Sequence, residues 1–172
     1  MKQFLFAFVA GLLLSAPALA VAPPKVTSIS ALVQLQTPLP FPYNENADPD
    51  KAVDAVLARA KAEHKRAFID LGGNWCGDCR VLAGLMELPE LKNFIAAHYV
   101  VAVVDVGRFN RNLQIPARWG MVEALKEGGA PTVLIVDPVT DSVVNAGHTG
   151  ALEDVRHMTP QAIADWIAEW AK

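Results

Sequence analysis

The sequence predicts an α/β domain, helices packed on a β-sheet, with a proline-rich arm before it. Three observations carry this. A short apolar run, Ala67 to Leu71, ends at Gly72-Gly73 and leads into a helix-spaced apolar stripe. A continuous β-prone run spans Tyr99 to Val106, and amphipathic helical patterns lie near either end, from Asp48 to His64 and from Thr159 to Trp170. Strands separated by helix-length segments call for parallel pairing and a right-handed crossover.

The first segment is a leader by pattern. Met1 to Ala20 has one cation, Lys2, an apolar run from Phe4 to Leu14, and the small-x-small triplet Ala18-Leu19-Ala20. That is the layout of a secretory signal peptide, and the run is short for a membrane span. Cleavage after Ala22 also satisfies the small-residue rule, but it sets Pro23 beside the cut, so Ala20 is the expected site. No cysteine follows, which argues against a lipid anchor. The expected location is periplasmic or secreted, without stable membrane insertion after cleavage. Roughly 150 residues then remain, enough for one domain with a real core. The net charge of the whole chain is −3 and no basic block occurs, so proteins rather than nucleic acids are the expected partners.

The arm, residues 21–47, contains Pro23, Pro24, Pro38, Pro40 and Pro42 around an apolar stretch, Ile29 to Leu35. Proline removes donors and fixes φ, so the arm reads as extended, with at most one short edge strand; it either wraps the domain or tethers it. The domain proper, residues 48–172, opens at Asp48-Pro49, a cap followed by the favoured first helical residue, and Val53, Val56, Leu57 and Ala60 supply the buried stripe. The strand Ala67 to Leu71 follows, and then the helix whose apolar face is Cys79, Leu82, Leu85 and Met86. Leu88-Pro89 breaks that helix. Leu91, Phe94 and Ile95 mark the next one, which delivers the chain to Tyr99–Val106, read as a central strand covered on both faces. Gly107 to Asn112 leaves its C-terminal end, where Arg108 and Arg111 are candidates to stabilise a thiolate or meet an acidic partner, or are plain loop cations. Asp137-Pro138 turns the chain from Val133–Val136 into a return strand, Ser142 to Ala146. His148 and His157 sit in the loop that follows, and Thr159-Pro160 caps a last helix with Ile163, Trp166, Ile167 and Trp170 on its core face.

Both cysteines lie in Trp75-Cys76-Gly77-Asp78-Cys79. Two cysteines three apart in a first helical turn can close a small disulfide ring, and the first sits where free N–H groups and the helix dipole favour an anion. Cys76 is therefore the candidate thiolate nucleophile and Cys79, one turn deeper, the candidate resolving thiol. Their ring is too small to stabilise the chain much by entropy, which favours chemistry over an incidental bridge. Asp70 is an acid inside an apolar strand. It is either a strand-end group facing solvent or a buried carboxyl whose raised pKa lets it take and return the proton of Cys79.

Asp70, Trp75, Cys76, Gly77, Cys79 and Ala130-Pro131-Thr132 together resemble the thioredoxin superfamily over roughly residues 48–171, and within it the exported thioredoxin-like proteins that face the bacterial periplasm. The resemblance implies the thioredoxin fold, a central mixed β-sheet flanked by helices. It implies a cis Pro131 beside Cys76, with backbone groups free to pair with an extended substrate, and contacts to that substrate from Trp75, Gly77, Asp78, Ala130 and Pro131. Pro116 to Gly120 resembles the short helix before that proline, though Met121 to Gly129 is longer than usual. Where the pattern often has a lysine near the acid, this chain has Val100 to Val104, which leaves Asp70 without a cation.

The expected activity is that of an exported thiol–disulfide oxidoreductase. Cys76 attacks a partner disulfide, Cys79 resolves it, Asp70 moves the proton and Trp75 shields the thiolate. No cofactor is expected beyond the redox-active Cys76–Cys79 pair, and no metal site. Partners are disulfide-containing exported proteins, with a membrane thiol reductase upstream. Asp78 stands where thioredoxin has proline and strongly oxidising relatives have histidine; a carboxylate there disfavours the thiolate and points to the reducing direction, with Arg80, Arg108 and Arg111 able to offset it. The competing classes are a copper or other metal carrier using the two thiols, with a loop histidine, and a thioredoxin-like adaptor that binds proteins without exchange.

Overall fold

In a computed structural model, which describes residues 21–172, four strands form one sheet: β1 Arg66–Gly72, β2 Tyr99–Asp105, β3 Thr132–Asp137 and β4 Ser142–Val143, in the order β2-β1-β3-β4. β2 runs parallel to β1, whereas β3 is antiparallel to β1 and to β4. The helices are α1 Pro49–Ala62, α2 Gly77–Met86, α3 Pro89–His98, α4 Gln114–Ala117, α5 Val122–Gly128 and α6 Pro160–Glu169. The expected signal peptide, residues 1–20, lies outside the described residues.

Local chemistry sets the helix starts. Asp48 accepts the Lys51 N–H and Thr159 accepts the Ala162 N–H, each followed by proline at the first helical position; proline's fixed φ suits that position and its missing donor costs nothing there. Side chains then alternate across the sheet with period two. Ala67, Ile69 and Leu71 join Val100, Leu134 and Val136 in a core beneath α1, α4 and α5. Phe68 joins Val133 and Ile135 in a second core with Leu82 and Leu85 of α2, Leu91 of α3 and Ile163 and Ile167 of α6. Asp70 has the same parity as Phe68, so it faces the cysteine helix.

Two expectations need correction. β2 stands at the edge of the described sheet, not at its centre. Its continuous apolar run reflects helices covering both faces, and hydropathy carries no information about whether the hydrogen-bonding edge is paired. The return strand is two residues long rather than five, because Asn145 leaves the ladder and turns its amide onto β3: Oδ1 accepts the Ile135 N–H at 2.8 Å and Nδ2 donates to the Val133 carbonyl at 2.9 Å. The stretch from Met121 to Gly129, longer than the usual connection, is filled by α5.

The arm forms no strand among the described residues; one turn of 3-10 helix, Leu32–Gln34, interrupts it. It wraps the domain instead of tethering it. Glu90 at the start of α3 accepts the backbone N–H and hydroxyl of both Thr27 and Ser28 at 2.8–2.9 Å. Leu35 is buried, and Val26, Ile29, Leu32 and Leu39 pack onto the α2/α6 core. Arg80, on α2, donates to the carbonyls of Leu39 at 2.8 Å and Pro40 at 3.0 Å, and its guanidinium lies 3.8 Å from the centroid of the Phe41 ring. Prolines leave carbonyls without neighbouring donors, and a guanidinium fork satisfies two of them. Arg80→Ala is therefore expected to destabilise the protein by roughly 1–3 kcal/mol and to raise amide exchange between Leu35 and Tyr43 while leaving that of β1 and β3 unchanged. Urea unfolding and hydrogen exchange by mass spectrometry check this.

Candidate active site

The turn from β1 into α2 places the two thiols. The Cys76 N–H donates to the Gly73 carbonyl at 3.0 Å, which fixes the turn, and Cys76 then serves as the N-cap of α2 in extended geometry. Its Sγ occupies the place of a capping oxygen: it accepts the Cys79 N–H at 3.1 Å. The spacing of the motif is that of an N-cap and its third helical residue, so one bond caps the helix and holds the sulfur in the field of its free N–H groups. As a thiol, Cys76 donates to the Ala130 carbonyl at 3.2 Å. Both cysteines are free and buried.

Hydrogen bonding from Cys79 brings the Cys76 thiol down to about 7, against partial burial and the Asp78 charge. The side-chain hydrogen bond with Cys76, followed by desolvation and the nearby Asp70, pushes Cys79 well above the ordinary thiol range. One sulfur is thus poised to ionise at neutral pH and the other is held protonated, the asymmetry that nucleophile and resolving thiol require.

Asp70 lies 1% exposed between Val103 and Val133 in the sheet. Burial raises its carboxyl to about 7, the Tyr43 hydroxyl partly opposes this, and the Cys76 charge adds to it. The solvent-facing alternative is excluded. No lysine approaches from β2; in its place Tyr43 of the arm donates to Asp70 Oδ1 at 2.9 Å. Tyr43, Cys76 and Cys79 form one buried cluster. Asn74, in the β1–α2 turn, clamps Tyr43 by its backbone, accepting its N–H at 3.1 Å and donating to its carbonyl at 2.7 Å.

The rim differs from expectation at each charge. Asp78 is buried and paired: it accepts the Arg156 backbone N–H at 3.0 Å and Nε at 3.0 Å, with Nη2 at 2.8 Å. Arg156 extends over Gly77, where an added Cβ would come within 3.4 Å of the guanidinium. The carboxylate that was expected to set the potential is therefore ion-paired, and by none of the three arginines named from the sequence. Arg80 holds the arm. Arg111 pairs with Asp105 at 3.1 Å. Arg108 lies 4.7 Å from the Trp75 ring, which is 43% exposed beside Cys76, donates from Nε1 to the Gly107 carbonyl at 2.7 Å and meets Phe109 edge-on. The Ala130–Pro131 peptide bond is cis. His148 stacks on Trp170 and His157 pairs with Asp154, and no cluster of three or more metal-ligating side chains occurs among the described residues.

Sequence reasoning missed Tyr43, Asn74 and Arg156. Each acts across 27 or more positions of chain, and none lies on a periodic face that would have singled it out.

A family model described as thioredoxin-like matches residues 48–138. A thioredoxin H-type of Chlamydomonas reinhardtii is 41% identical over 59 residues, which are 34% of this chain and 50% of that protein, so the chain spans about half the length of this curated relative. The crystal structure of a disulphide isomerase from Xylella fastidiosa Temecula1 superposes with a TM-score of 0.68 at 35% identity, over 76% of this chain and 96% of the other. With its mixed sheet flanked by helices and its two cysteines at the start of α2, the chain has the thioredoxin fold and belongs to the thioredoxin-like family.

Proposed function

We propose that the protein is an exported thiol–disulfide oxidoreductase that reduces disulfides of exported proteins and is itself recharged by a membrane thiol reductase. The observation that carries the chemistry is the opposed tuning of the two sulfurs over one buried carboxylate. Cys76 attacks the partner disulfide and displaces one of its sulfurs as a thiolate. Cys79, deprotonated towards Asp70, then attacks Cys76, closes the Cys76–Cys79 disulfide and releases the partner reduced. The partner would lie against Cys76, with Trp75, Gly77, Asp78, Ala130 and Pro131 as the residues that meet it. No cofactor beyond the two thiols enters this scheme. Export rests on the leader pattern of residues 1–20.

The reducing direction rests on the Cys76 thiol standing at about 7. Strong oxidants stabilise the thiolate far more, to about 3.5, and thioredoxin itself stands near 7. The equilibrium potential of the pair in dithiothreitol or glutathione buffers is expected at or below about −270 mV; a value near −120 mV would refute the direction.

Two variants test the electrostatics. Arg156→Gln strands the Asp78 carboxylate beside Cys76, so alkylation of Cys76 at pH 7 is expected to slow roughly two- to tenfold, and Asp78→Asn to accelerate it; rate against pH is the readout. Asp70, whose carboxyl rises to about 7 on folding, adds stability below its unfolded pKa of about 4 and loses it as pH climbs through 7. Asp70→Asn is therefore expected to be more stable than the parent at pH 8 by roughly 3–4 kcal/mol, with no difference near pH 3, yet about 100-fold slower in disulfide exchange. Urea unfolding at both pH values and insulin reduction measure the two effects.

A further inference from the structure

We propose that Tyr43, carried by the proline-rich arm, is a catalytic residue whose hydroxyl relays the proton between Cys79 and Asp70. The inference rests on the oxidoreductase reading above and adds a residue to it. The hydroxyl has two neighbours. It donates to Asp70 Oδ1 at 2.9 Å, and it shares with Cys79 Sγ the space over Gly72, where an added Cβ would lie 2.5 Å from Tyr43 Oη and 2.7 Å from Cys79 Sγ. A glycine at the end of β1 is what lets the phenol reach both groups. The ring is 2% exposed, and Asn74 clamps its backbone from both sides. A buried hydroxyl with one carboxylate and one thiol as neighbours has few roles other than to pass a proton between them.

The step balances. In the mixed disulfide between Cys76 and the partner, the Cys79 S–H proton passes to Tyr43 Oη while the Tyr43 O–H proton passes to Asp70. Tyr43 ends neutral, Asp70 protonated and Cys79 a thiolate. The thiolate attacks Cys76 Sγ, the Cys76–Cys79 bond forms, and the partner sulfur leaves with the electron pair of the broken bond. Asp70 lines a cavity of about 400 Å³ at the β2 edge, bounded by Pro42, Ala83, Met86, Val101 and Val103. That gives its proton a way to water on a side the docked partner does not cover.

Asp70 is faced by Tyr43 from the arm and by Cys76 and Cys79 from α2; its sheet neighbours, Val103 and Val133, carry no charge, and Arg59, Glu87 and Lys92 line the outer cavity. Loss of the hydroxyl therefore removes the donor that favours the carboxylate, and moves the titration of Asp70 upward.

The test follows decay of a preformed mixed disulfide between Cys76 and a fluorescent peptide thiol in wild type, Tyr43→Phe, Asp70→Asn and the double variant. Alkylation of Cys76 is measured alongside. Resolution is expected to slow 10- to 100-fold in Tyr43→Phe, with its pH midpoint above that of wild type, with Cys76 alkylation unchanged within a factor of two, and with the double variant no slower than Asp70→Asn. Wild-type resolution in Tyr43→Phe overturns the relay. So does an equal slowing of alkylation, or a double variant in which the two losses multiply, since either makes Tyr43 structural. If wild type itself fails to exchange with any disulfide, the oxidoreductase reading falls; if Asp70→Asn alone resolves at the wild-type rate, Asp70 is not the acceptor and the relay falls with it.

Discussion

The site depends on one hydrogen bond, from the Cys79 N–H to Cys76 Sγ. It caps α2 and holds the two thiols within reach of each other, so that the hydrogen bond between the side chains, with the backbone N–H behind it, favours the anion on Cys76 and the proton on Cys79. Capping at helix N-termini is ordinarily the work of serine, threonine or aspartate. A sulfur there does the same structural duty, so helix start and reactive group coincide. Gly77, at the first helical position, carries no side chain, and the Arg156 guanidinium lies over it on its way to Asp78.

The second constraint is parity. Alternation along β1 assigns Phe68 and Asp70 to the α2 face and Ala67, Ile69 and Leu71 to the other. A register slip of one residue would bury the carboxylate under α1, far from either thiol. The apolar residues beside Asp70 thus fix which face it joins, and the same packing that stabilises the sheet desolvates the acid. Stability and the proposed chemistry oppose each other at this point: an ionised carboxylate in that position destabilises the folded state, whereas the proposed reaction uses it to accept a proton.

Much of this was legible from residue order. The buried strand β1, the Asp48-Pro49 and Thr159-Pro160 helix starts, and the two cysteines at the first turn of α2 are local patterns, set by interactions within a few residues, and they read correctly. What failed was non-local. The edge position of β2 is a property of the neighbour it lacks, which its own residues do not record. Asp78 reads as a free carboxylate until Arg156 is folded against it from a 3-10 turn in the loop before α6, and the arginines nearest in sequence turned to the arm, to Trp75 and to Asp105 instead. Tyr43 sits in a proline-rich run whose hydropathy says only that it is irregular.

The arm then answers a question posed by the missing lysine. A buried acid can be held by an ammonium or by a neutral hydroxyl, and the two have different consequences. A cation beside Asp70 would favour its ionised form strongly and pull its titration down towards the ordinary carboxylate range. A phenol donates one hydrogen bond, offsets part of the desolvation and leaves the carboxyl at about 7, where protonated and ionised forms interconvert at neutral pH. The phenol can also move its own proton, which an ammonium between two acceptors does only by becoming a neutral amine in a site that has already lost its water. Irregular backbone is what such a placement needs: Pro38, Pro40 and Pro42 remove backbone donors just before Tyr43, so the arm can lie on α2 without forming a strand and deliver a single side chain into the space over Gly72.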